Sequence, residues 1–125
     1  MIGYVTLGTN NFEKAAAFYD ALLAEMGAAR AMEFEGQFIA WANNPNAPML
    51  GIIRPHNGEP ATFGNGTMVA LAAGSAADVD RIYKKAIELG GKDEGAAGPR
   101  GDSGFYAGYF RDVDHNKLCV FCMTK

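Results

Sequence analysis

The sequence predicts an α+β fold of two β-α-β-β-β modules within one domain, and three observations carry that expectation. Two amphipathic helical stretches each follow a short apolar strand, and three strand-like pieces follow each helix. The two strand–helix units also superimpose with one constant shift and no gap. Val5, Leu7, Tyr19 and Gly27 then fall on Val69, Leu71, Tyr83 and Gly91, as they would in a duplicated unit. A chain of 125 residues is one domain over 1–125, long enough to bury about two thirds of its unfolded surface without disulfides or metals. The modules span about 1–58 and 64–125.

The first helix is expected in NNFEKAAAFYDALLAEMG. Phe12, Ala15, Ala16, Tyr19, Leu22, Leu23 and Met26 recur at steps of three and four and share one face. Asn10 or Asn11 is placed to cap it, and Gly27 stands where a helix end favours a left-handed residue. GAARAMEFE, GQFIAWAN and APMLGIIR then read as strands, and the turn-rich PHNGEPATFGNG joins the halves. In the second half Val79, Ile82, Tyr83, Ala86 and Leu89 form the apolar helical face. Ser75 and Asp78 have capping-box spacing, and Gly90 and Gly91 close the helix. The glycine-rich GKDEGAAGPRGDSG, then FYAGYFRD and KLCVFCM, complete the module.

Charge and hydropathy narrow the partners. A net charge of −3 lacks the clustered Lys and Arg excess that phosphate contacts need, so no nucleic-acid partner is expected. Arg81, Lys84 and Lys85 read as the solvated face of the second helix. No run approaches the roughly 18 apolar residues of a membrane span, and MIGYVTLG lacks the form of a secretory leader. A cytoplasmic protein with two reduced thiols is the expectation.

The repeated unit, the opening GYVTLGTNNFEKAAAFYDALL and the closing YFRDVDHNKLCVF resemble the vicinal oxygen chelate superfamily, which contains glyoxalase I, bleomycin-resistance proteins and extradiol dioxygenases. DVDHN is similar to that superfamily's D-P-D-G-N turn before its last strand. The resemblance covers nearly the whole chain. It implies that each half curls into an open half-barrel around a pocket, often completed in a homodimer. One such scaffold hosts several chemistries and also pure binders.

The resemblance also implies four metal-ligand places: on the first strand, on the fourth, at the start of the second half and on the last strand. Here they fall on Tyr4, near Gly51, and on Met68 and Cys119. None is a usual ligand for a hard or borderline divalent ion, and APMLGIIR holds no carboxylate or His at any register. No metal and no cofactor are therefore expected. The C-x-x-C of KLCVFCM does not alter this. On a strand, residues three apart point to opposite faces, so Cys119 and Cys122 can neither chelate one ion nor form a disulfide. His115 reads as a turn residue tolerating a left-handed backbone, and Glu33, Glu35, Asp93, Glu94, Asp112 and Asp114 read as mostly solvated.

By alternation from the ligand-equivalent places, Tyr4, Thr6, Met68, Ala70, Cys119 and Phe121 should face inward. That lining suits a small-molecule pocket or a filled core, and both readings stay open. Trp41 shares a face with Ile39 and reads as core. Arg54, Arg100 and His56 are candidate partners for an anionic ligand, with Arg100 in a glycine-rich loop that could act as a mobile cover. Of Tyr106 and Tyr109 only one can reach the cavity. Neither Ser103 nor Cys119 has a motif partner for covalent catalysis. Three function classes follow: a metal-free small-molecule binder of the bleomycin-resistance type with its ligand in an apolar dimer cavity, a glyoxalase-like enzyme, and a structural module with a filled pocket.

Overall fold

The computed structural model describes residues 1–125. In chain order the elements are β1 (Tyr4–Gly8), α1 (Phe12–Ala24), β2 (Ala29–Phe34), β3 (Phe38–Ala42) and β4 (Met49–Ile53), then β5 (Val69–Ala72), α2 (Ala76–Glu88), β6 (Lys92–Pro99), β7 (Phe105–Arg111) and β8 (Lys117–Met123). They make two four-stranded sheets, β1-β4-β3-β2 and β5-β8-β7-β6. In each, the outer β1–β4 or β5–β8 pair is parallel and the remaining pairs are antiparallel. The predicted β-α-β-β-β repeat is what the chain forms.

Local chemistry sets the helix bounds. Asn11 caps α1 by accepting from the Lys14 N–H at 3.2 Å, and Ser75 caps α2 by accepting from the Asp78 N–H at 3.1 Å. The two helices are each 13 residues long and keep one constant offset at both ends. Their last turns diverge. The left-handed glycine is Gly27 (φ 72°) after α1, but Gly90 (φ 102°) after α2. Gly91 is needed for space instead: a Cβ there would lie 2.6 Å from the Ala86 carbonyl oxygen and 3.0 Å from that of Arg111.

A second repeat lies in the turns before β4 and β8. The Asn46 N–H donates to Asn44 Oδ1 at 2.9 Å, as the Asp114 N–H donates to Asp112 Oδ1 at 2.8 Å. The Ala47 and His115 N–H groups then close the two turns on the Asn44 and Asp112 carbonyls. His115 takes φ 69°, as its place in a tight turn predicts.

The helix-facing sides of both sheets merge into one core of 19 buried residues, with Tyr19, Leu22, Trp41 and Ile52 from the first module and Ile82, Phe110, Leu118 and Val120 from the second. Trp41 is core as predicted, and its indole N–H donates to Asp20 on α1 at 2.9 Å. The linker is fixed where it crosses the end of β1. Asn10 both accepts from the Ala61 N–H (2.7 Å) and donates to the Ala61 carbonyl (3.1 Å), and a Cβ on Gly8 would meet Ala61 at 2.8 Å. No helix is long and apolar enough to cross a membrane.

One sequence expectation needs correction. Of the glycine-rich GAAGPRGDSG expected as a loop, 95–99 belong to strand β6, which pairs with β7 through two register shifts at Asp93/Gly95 and Gly95/Gly98, and only 100–104 lie outside it. Glycine there provides bulges and bare surface, which periodicity does not encode.

Candidate functional site

Each sheet has one face packed on the core and one open face. On the first sheet Tyr4 and Thr6 of β1 alternate away from the buried Leu7, with Gly51 paired beside Thr6. The Phe38 ring lies over Gly51: a Cβ on Gly51 would stand 3.0 Å from that ring and 3.0 Å from the Ile39 carbonyl. Tyr4 meets Phe38 edge-on at 6.3 Å between centroids, and Phe34 lies 5.9 Å from it. Tyr4 (60%) and Phe34 (62%) remain exposed, so this face is an uncovered aromatic surface.

On the second sheet Cys119 pairs with Ala70 on one side and Tyr109 on the other, and Phe121 packs on Phe105 at 5.6 Å. Thr6–Gly51 and Ala70–Cys119 are thus equivalent pairs in the two modules. Cys119 is 1% exposed, and burial pushes its thiol pKa up, opposed by Tyr109 and by the positive charges of Arg100 and Lys117. Cys122, on the other face, belongs to the core beside α2. Both thiols are free and buried. They should react with a thiol reagent only after denaturation, and fast labelling of either in the native protein would contradict this packing.

The sequence-predicted site residues separate. Tyr4 and Thr6 are on the first sheet, Cys119 and Phe121 on the second, and Met68 precedes β5 at 41% exposure. Met68 lines a groove of about 500 Å³ that also runs past Ile2, Val5, Met49, Val69 and Leu71. Its walls are almost entirely apolar, and it follows the unpaired edge of β5. Arg54 does not reach the open faces: its Nε–H donates to the Gly36 carbonyl, and its guanidinium lies over the Phe12 ring of α1 at 5.4 Å. His56 is exposed in the linker. Arg100 does reach the second open face, folded over β6. Tyr109 is the tyrosine on that face, whereas Tyr106 donates to Asp80 of α2.

A metal centre of the superfamily's kind does not fit these residues. The four places hold a phenol, a bare backbone under an aromatic ring, a thioether and a buried thiol. No group of three His, Cys, Asp or Glu side chains converges elsewhere.

Sequence reasoning missed the role of Asp112, read as a solvated turn residue. It is 3% exposed. Its Oδ2 accepts from the Tyr19 hydroxyl at 2.5 Å and the Asn116 amide at 3.0 Å, and its Oδ1 from the Asp114 and Asn116 N–H groups. Asn116 also donates to the Gly8 carbonyl at 3.0 Å. The carboxylate therefore ties α1 and β1 of the first module to the last turn of the second. Burial pushes the Asp112 pKa above the ordinary carboxylate range, and its hydrogen bonds oppose that rise. Burial and the adjacent carboxylate push Tyr19 well above the ordinary phenol value.

Comparison with known proteins completes the picture. No curated protein matches the chain. The chain superposes on a glyoxalase/bleomycin resistance protein from Albidiferax ferrireducens T118 with a TM-score of 0.85, at 34% identity over 98% of both chains. More distant structures share the fold alone. A glyoxalase-related enzyme from Fulvimarina pelagi has a TM-score of 0.76 at 20% identity, over 98% of this chain and 87% of that one. Lactoylglutathione lyase from Agrobacterium tumefaciens has a TM-score of 0.70 at 21% identity, over 98% and 92%. The family model for the Glyoxalase/Bleomycin resistance protein/Dioxygenase superfamily matches residues 1–120. With two matched modules, two open half-barrel sheets and a family match over nearly its whole length, the chain belongs to the glyoxalase/bleomycin resistance protein/dioxygenase superfamily.

Proposed function

We propose that the protein is a metal-free small-molecule binder of the bleomycin-resistance type, a cytoplasmic homodimer that holds its ligand in an apolar cavity closed between subunits. The observation that carries this reading is the Phe38 ring lying over Gly51. The fourth-strand ligand place is occupied by apolar surface, and the other three hold Tyr4, Met68 and Cys119. Glyoxalase I chemistry needs a metal to polarise substrate oxygens, and this chain supplies no donor set for one. It offers apolar contact area instead.

The case for a dimer is the amount of that area left uncovered. Tyr4, Phe34, Met68 and Met123 are all exposed large apolar side chains, and the groove beside Met68 is open. Covering a few hundred Å² of such surface at about 25 cal/mol per Å² favours pairing by several kcal/mol before ordering costs. A partner's sheet laid against an open face would also create a dry cavity. Buried free thiols suit a reducing cytoplasm.

Elemental analysis and sedimentation test the proposal together. Expected are no stoichiometric divalent ion after purification and a dimer mass that falls toward monomer in Met68→Glu, where an unpaired carboxylate would sit in the contact. One tightly held divalent ion per chain, or a monomer at all concentrations, would refute it. The latter result would favour a structural module whose site the Phe38 ring already fills.

A further inference from the structure

The two open faces differ in charge. That of the first sheet is built from Tyr4, Thr6, Met32, Phe34, Phe38 and Ile53 and bears no ionisable group other than the phenol. On the second, Tyr109 projects between two cations. Arg100 reaches its ring from the β6 side at 5.4 Å, and Lys117 of β8 reaches it at 5.6 Å.

Both cations lack a carboxylate. The ion pairs of the chain join Arg30, Arg81 and Arg111 to acidic partners, but none involves Arg100 or Lys117. The neighbouring Arg111 is neutralised by Glu94 at 2.7 Å. Arg100 is held in place without being neutralised. Its side chain lies on bare backbone, 3.3 Å from where a Cβ on Gly95 would stand and 3.5 Å from one on Gly98. From there it donates to the Ala96 and Gly98 carbonyls at 2.7 and 3.1 Å, while its Nε–H has no acceptor. A Cβ at 95 would crowd the guanidinium, and one at 98 would only touch it. The bulged, glycine-rich strand is thus a bed for a guanidinium. Arg100 and Lys117 are both half-buried, and neither has an acidic partner.

We infer that the second sheet's open face is an anion subsite, in which Arg100 and Lys117 on either side of Tyr109 receive the acidic head of a ligand whose apolar body lies on aromatic surface. The ligand class is therefore an amphipathic organic anion: a carboxylate, sulfonate or phosphate on an apolar, preferably aromatic, frame. Tyr109, its ring flanked by both cations, holds them on this face. This inference rests on the binding function proposed above and assigns its ligand chemistry.

Two fluorescent probes with a common aromatic frame separate the two ideas: anilinonaphthalene sulfonate, which is anionic, and phenylnaphthylamine, which is neutral. The native protein should bind the sulfonate about tenfold more tightly than the amine, the worth of a charge-assisted contact. Added salt should erode that preference. Lys117→Gln and Arg100→Gln should each weaken the sulfonate by about tenfold and change the amine by less than about twofold, with Arg100→Lys, which keeps the charge but not the fork, restoring binding only in part. Because Arg100 also braces β6, Lys117→Gln is the decisive variant. Equal affinities for the two probes, or sulfonate binding indifferent to Lys117→Gln, would overturn the anion subsite and leave the apolar cavity standing. Binding of neither probe would overturn both.

Discussion

Asp112→Ala should destabilise the protein by roughly 4 kcal/mol, since four donors lose their acceptor and each unmet buried donor costs about 1 to 3 kcal/mol before water relieves part of it. The donors are the Tyr19 hydroxyl, the Asn116 amide and the Asp114 and Asn116 N–H groups. Tyr19→Phe removes one of them and should cost roughly 2 kcal/mol, the range for a hydrogen bond to a charged group. Urea unfolding of both single variants and the double variant gives the coupling directly, and additive losses would show that the pair does not act as a unit.

The pH dependence has a definite sign. Because the folded pKa of Asp112 is raised, this group stabilises the fold most below its unfolded pKa, and that contribution is lost as pH rises through the folded value. Removing the Tyr19 hydrogen bond raises the folded pKa further. The Tyr19→Phe deficit should therefore be larger at neutral pH and shrink as acid protonates Asp112. A deficit independent of pH would mean that the hydroxyl contributes packing rather than support of the charge.

Gly91→Ala should cost roughly 3 kcal/mol, at the upper end of overpacking effects, because the new methyl meets two backbone oxygens that cannot rotate away. Gly27→Ala makes the useful contrast. That position needs φ 72° but has open space around it, so alanine should cost only about 1 kcal/mol. Thermal unfolding of the two variants should rank Gly91→Ala as the more damaging. The reverse order would assign both glycines a purely conformational role.

Gly27 and Gly91 also mark where the sequence can and cannot be read. Both helices were legible because helical periodicity and caps are local signals that survive divergence, and the superposition only aligned the two glycines. It could not tell a glycine required by its φ from one required by a neighbour's carbonyl, since the neighbour is fixed only by the tertiary fold. Asp112 was misread for the same reason. A carboxylate in a turn looks solvated until an α1 tyrosine from the other module is brought onto it. Arg100 was singled out in its loop, but the bulged strand just before it, on which its side chain lies, was not legible because its glycines resemble a linker. Lys117 escaped notice, its partner Tyr109 being adjacent only through the β7–β8 register. The open-face positions of Tyr4, Thr6 and Cys119 were legible because strand alternation is a period of two and needs no tertiary knowledge.

The matching turns at Asn44 and Asp112 have a consequence for the history of the two halves. Their backbone bonding is the same, but Asn44 is exposed and neutral whereas Asp112 is buried and receives Tyr19. The equivalent tyrosine, Tyr83, turns back to Asp93 inside its own module. The duplicates are no longer exchangeable parts. A protein assembled from two first halves would offer Tyr19 a solvent-facing asparagine in place of its buried carboxylate, whereas two second halves would bring two such carboxylates and no tyrosine committed to either. The symmetry persists in the backbone, and the division of labour between donor half and acceptor half now makes each indispensable to the other.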